Sequence, residues 1–143
     1  MIDTTDLIPR DDIPEDEDGL FAYLSQLVEQ ARRVASTQAN ATLAIRNWLM
    51  GRAINTNILH HTRADYGKQI YVSLTHKLTE RFGRGYDQPN VSRMMTFAQL
   101  YPDYEVCVLL AHQLSWTHIV ARRIGGPARH FHRSHDPRLA RFT

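Results

Sequence analysis

The residues best suited to chemistry sit around a short glycine-rich break, Gly83-Arg84-Gly85-Tyr86, followed by Asp87-Gln88-Pro89-Asn90. Gln88, Asn90 and Ser92 offer neutral donors and acceptors of the kind that read base edges, and Arg93 offers a two-pronged donor suited to guanine or phosphate. Lys68, Lys77, Arg81 and Arg84 lie on the preceding stretch, where bases that hold phosphates are expected in a helix-turn-helix reader. The plainer reading is an ordinary pair of helices whose polar face is solvated.

Other constellations are weaker. Ser115 and His118 stand three apart, but no third group is at hand to orient them, so Ser115 is read as a helix cap and Trp116 as packing. His60, His61 and His76, or His130, His132 and His135, lack the cysteines or the paired spacing of a zinc site, so adventitious metal binding is the stronger expectation and no metal is assigned. Beyond residue 18 the acids are few and scattered, which argues against a two-metal nuclease centre. Neither a phosphate-binding glycine loop after a strand nor a nucleophile set is present, so no catalytic residue and no cofactor are expected.

The elements that must position these residues follow from periodicity. Leu20, Leu24, Leu27, Val28, Ala31 and Ala35 form one helical stripe, and Leu43, Met50, Ile54 and Ile58 form a second. Whether Ser36, Thr37 and Asn40 break the chain between them, or face outward from one long helix, stays open. Gly51, beside Trp48, predicts a helix-crossing point, since glycine inside a helix costs about 1 kcal/mol unless another backbone comes close. Ile70, Leu74, Leu78 and Phe82 mark a helix from Asp65, after a loop at His60-His61-Thr62-Arg63.

Asp87 caps the next helix and Pro89 fixes its first turn, giving a helix over 88–101. Its apolar face is Val91, Met94, Met95, Ala98 and Tyr101, with Thr96 and Gln99 joining the four polar residues named above on the other side. A short apolar helix (Val106 to Ala111) follows, then one from Ser115 through Ile124. No stretch alternates with the period of a half-buried strand, so the fold class is all-α, a small helical bundle with a helix-turn-helix-like unit.

A chain of 143 residues with 43% hydrophobic and 22% charged residues is one globular domain by composition. The single cysteine, Cys107, excludes an internal disulfide and favours a reducing compartment. The start is acidic and lacks the apolar stretch of a signal peptide, and the longest apolar run is far too short to span a bilayer, so a cytoplasmic protein without membrane contact is expected.

The net charge of +2 hides an asymmetry. Residues 1–18 hold eight acids and one base, and are read as an acidic disordered tail. They act either as a solubilising leader, the favoured reading, or as an intramolecular mimic of nucleic acid. Residues 19–143 hold sixteen Lys or Arg against seven acids, a balance that suits a polyanionic partner. Residues 125–143, with Arg129, Arg133, Arg138 and Arg141, are read as a loose basic tail or a truncated remnant.

Several phrases, in order, then resemble one family: Asn40; Trp48-Leu-Met-Gly51-Arg-Ala-Ile54; Tyr66-Gly67-Lys68; Phe82-Gly83-Arg84-Gly85-Tyr86; Asn90 with Met94 and Phe97; and Leu114-Ser-Trp-Thr-His118. Together they resemble the YhcG N-terminal domain, which precedes a PD-(D/E)XK nuclease domain in bacterial proteins, over about residues 20–124. Pro89 departs from the pattern, standing where the family usually tolerates a charged residue. The resemblance implies a DNA-binding or substrate-positioning module that binds without cutting, the nuclease core being absent from these residues. DNA is the expected partner, with a homodimer or a nuclease domain as the other partners considered. The competing expectation is a helical interaction or dimerisation module using the Leu20, Leu24, Leu27 and Val28 stripe.

Overall fold

The computed structural model describes residues 7–33, 39–63 and 65–124. The proposed tail at 125–143 and the first six residues lie outside them. The described chain is all-α: α1 (Glu17–Arg32), α2 (Ala39–Leu59), α3 (Tyr66–Phe82), a 3-10 turn (Arg84–Tyr86), α4 (Gln88–Leu100), α5 (Tyr104–Gln113) and α6 (Trp116–Ile119), continued by one wide π turn (Val120–Ile124). None of these helices is long and apolar enough to cross a membrane.

α2 is the axis of the bundle. It packs against α1, α4 and α5, and it is enclosed on nearly every side rather than along a single stripe. Because α1 and α2 pack against each other, the two apolar stripes belong to two helices and not to one long one. The Trp48 indole N–H donates to the Tyr101 carbonyl at 2.7 Å, and its ring meets Tyr104, tying α2 to the start of α5.

Gly51 is where α2 and α4 cross. A Cβ there would stand 2.0 Å from the Met94 carbonyl oxygen, so only glycine lets the two backbones approach this closely. One turn later the Asn55 amide donates to the Met95 carbonyl at 3.0 Å across the same crossing. The sequence expectation of a crossing is realised here.

The composition-based reading of residues 1–18 as a disordered tail does not hold over residues 7–18. Residues 7–16 form an ordered strap and 17–18 begin α1. Leu7 (1% exposed) and Ile13 enter the core, while fixed side chains bind the strap's carbonyls. Tyr104 donates to Leu7 O, Arg52 to Arg10 O, Asn57 to both Pro14 O and Glu15 O, and His61 Nε2 to Glu15 O. Asp16 then caps α1 by accepting from the Gly19 amide at 2.7 Å. Two buried apolar groups and a row of main-chain bonds offset the ordering entropy that the acidic composition alone cannot.

Candidate nucleic-acid interface

α3 ends at Gly83, whose φ of +104° is a backbone conformation that favours glycine. The 3-10 turn reverses the chain, and Asp87 opens α4 by accepting from the Asn90 amide at 3.1 Å, with Pro89 in the first turn. Tyr71 of α3 donates to the Gln88 carbonyl at 2.6 Å, and Thr79 donates to the Tyr86 carbonyl at 3.1 Å, so α3 fixes the bend from two points. Burial first, and then the nearby Asp87 charge, push the Tyr71 hydroxyl up to about 12.

The fold presents the first turn of α4 and buries most of the rest. Gln88 and Pro89 are exposed, and Asn90 and Arg93 are half-buried, with Arg93 Nη1 donating to Asn90 Oδ1 at 3.3 Å. Arg93 Nε is buried without a partner.

Ser92 departs from expectation. It is 4% exposed, lies against the Tyr71 hydroxyl, and so has no face toward an incoming groove. Thr96, expected on the polar face, is 1% exposed. The reason is that α4 is packed between α2, α3 and the C-terminal π turn, so small hydroxyls in its middle turn inward.

The cations expected on phosphates separate into three situations. Among the described residues, Arg84 is exposed on the bend with no ion pair, and Arg81, exposed at the end of α3, reaches the Ser25 hydroxyl and the Phe82 ring. Lys77 is held by Glu17 and lies 3.9 Å from Asp18, so the start of α1 already neutralises it. Lys68 is exposed but stands near the opposite end of α3, roughly 20 Å from Phe82 at 1.5 Å per residue. The structure therefore gathers Arg81, Arg84, Gln88, Asn90 and Arg93 at one end, and leaves Lys68, Lys77 and Ser92 out of that group.

Periodicity gave no sign that Arg32 and Arg46 join this end. The Arg32 and Arg81 guanidiniums each stand 5.1 Å from the centre of the Phe82 ring, which packs on Tyr86. Arg46, on α2, is 8% exposed and donates to the Tyr86 hydroxyl at 2.7 Å. An arginine inside an apolar helix was the available sign. Arg33 and Arg81 also line a groove of about 480 Å³ along α1.

The remaining described sequence candidates have structural roles, and His130, His132 and His135 lie outside the described residues. The Ser115 hydroxyl accepts from the His118 amide at 3.3 Å and lies 3.0 Å from its Nδ1, capping α6, and Trp116 packs half-buried on Phe97. His61 stacks on Tyr66, and His76 faces Glu80. Among the described residues no three His, Cys, Asp or Glu side chains come together as a metal site. Burial pushes the Cys107 thiol up to about 12, so it stays protonated at neutral pH.

The chain matches a family described as the DUF1016 N-terminal domain over residues 23–124. Comparison with curated proteins and with solved structures returns no match.

Proposed function

The chain belongs to the DUF1016 N-terminal domain family, and from that premise we propose that the domain is a nucleic-acid-binding module that grips duplex DNA with its cationic α3–α4 end. One observation carries the reading: Arg84 and Gln88, both exposed and with no acidic partner among the described residues, flank the capped N-terminus of α4. Gln88 and Asn90 sit where helix-turn-helix readers put base contacts, and Arg81, Arg84 and Arg93 supply the phosphate grip. On this reading the module positions DNA for a separate nuclease domain and performs no chemistry itself.

Titration of a short fluorescent duplex at several salt concentrations tests it. Each phosphate contact removed should lower the slope of log K against log salt by about 0.9. Arg84→Ala with Arg93→Ala should therefore flatten the slope by close to two such steps, and Lys77→Ala should change it little. An affinity indifferent to salt would refute the proposal.

A second reading, a docking module, draws on a different surface from the one expected. Leu20, Leu24, Leu27 and Val28 are buried within the monomer, so that stripe has no area left for a partner. Val106 and Leu109 (62% exposed) instead stand three residues apart on α5. Under this reading Leu109→Asp abolishes self-association measured by light scattering, whereas Leu24→Asp simply unfolds the chain.

A further inference from the structure

Arg46 carries a buried positive charge with no carboxylate in salt-bridge range among the described residues. Its Nε and Nη2 donate to the Asn47 side-chain oxygen at 3.1 and 2.6 Å, and its Nη1 donates to the Tyr86 hydroxyl. Three of five N–H groups are thus engaged, all by neutral acceptors. Tyr86 accepts that bond, and among the described residues its own hydroxyl proton has no acceptor. Thr42, one turn earlier on the same face of α2, has a buried hydroxyl with no hydrogen-bond partner among the described residues.

The surroundings add positive charge. Arg32 and Arg81 approach from α1 and α3 on the Phe82 ring beside Tyr86. Among the described residues Glu29 is the one acid engaged by this trio, and it sits 3.5 Å from Arg32 at the exposed rim. Burial pulls the Arg46 pKa below its ordinary value against the opposing pull of Tyr86, and the neighbouring Arg32 charge adds a smaller push in the same direction as burial. Buried charges are normally paired because desolvation is expensive, so a buried cation with spare donors is suited to an anionic partner.

We propose that Arg46, Arg32, Arg81 and the Tyr86 hydroxyl form a binding site for one phosphate group. A phosphate offers several oxygens at tetrahedral angles, which matches guanidinium forks arriving from three different helices. Tyr86 and Arg46 supply the floor and the two exposed arginines the rim. The shared chemistry is phosphate, whether carried on a nucleic-acid strand or free in solution, and the inference rests on the nucleic-acid reading only for the first source.

The test is a phosphate titration of the isotopically labelled chain by NMR at fixed pH and ionic strength, with chloride as the balancing salt. Saturable movement of the Arg46 side-chain Nε–H and Tyr86 signals is expected. Arg32→Ala with Arg81→Ala, both on the exposed rim, should weaken binding at least tenfold with the fold intact. Arg46→Lys, which keeps the charge but loses the fork, should also weaken it. A linear response indistinguishable from chloride, or unchanged binding in the rim variant, would overturn the site. Competition with a short duplex then separates the sources: displacement identifies strand phosphate, and its absence identifies free phosphate, both upholding the receptor. Saturable phosphate binding in a protein with no duplex affinity would preserve this site and sink the nucleic-acid reading.

Discussion

Two stretches of α2, about a turn and a half apart, have opposite character. Around Gly51 the helix is pressed against α4 so closely that a single methyl group has no room. Around Arg46 the same helix holds a guanidinium served only by neutral acceptors, beside two more arginines on an aromatic ring. The first stretch is held by direct backbone-to-backbone packing. The second has donors in excess of acceptors, which is the arrangement a polyanion would complete. The difference teaches that this bundle secures its stability at the α2–α4 crossing and concentrates unneutralised charge where the α3–α4 bend meets α1.

The largest effect is expected at the crossing. Gly51→Val puts carbon against the Met94 carbonyl, a backbone atom that cannot rotate away, and should cost about 3 kcal/mol or more in thermal or denaturant unfolding. A variant that melts like the parent would remove the crossing from the account.

Next in size is the strap. Asn57 is fully buried and joins two strap carbonyls to the Tyr66 hydroxyl. Asn57→Ala leaves those groups unsatisfied and should cost about 2 to 3 kcal/mol, with faster hydrogen exchange near residues 7–16.

These two predictions also mark what the sequence revealed and what it hid. Asp87, Pro89 and Ser115 announced helix starts because capping is local chemistry, and Gly51 announced a crossing because its cost needs an explanation. The strap was hidden because its order comes from Arg52, Asn57 and Tyr104, all about 40 or more residues away, while its acids read as a solvated run. Ser92 and Thr96 were misread because periodicity assigns small hydroxyls to the outside, and an enclosed helix can bury them. Arg46 was passed over for the converse reason: no local rule says that a charge on an apolar helix lacks an acid. The bend and its Arg81, Arg84, Gln88 and Asn90 were legible, and the contribution of Arg32 and Arg46 required the tertiary structure.

A smaller effect belongs to the bend itself. Asp87→Ala removes the α4 cap and should cost about 1 kcal/mol in denaturant unfolding.

The smallest effect is the Glu17–Lys77 tie. Burial raises the Glu17 pKa, but hydrogen bonds from Lys77 and Ser73 outweigh it, and the net shift is downward. A carboxylate with a depressed folded pKa contributes stability that is present above its unfolded pKa and is lost as pH falls through the folded value. Glu17→Gln should thus lower stability by no more than about 1 kcal/mol at neutral pH and shrink the loss on acidification. It should also release Lys77, steepening the salt dependence of duplex binding by up to about 0.9 in slope.

The central claim, that the cationic end around the bend is offered to polyanions, is tested most directly by duplex affinity against salt for the parent chain and for Arg81→Ala with Arg84→Ala. A steep decline of affinity with salt in the parent, and a slope reduced by close to 1.8 in the variant, is the predicted result. Equal slopes for the two proteins, or no salt-sensitive binding in either, would contradict it.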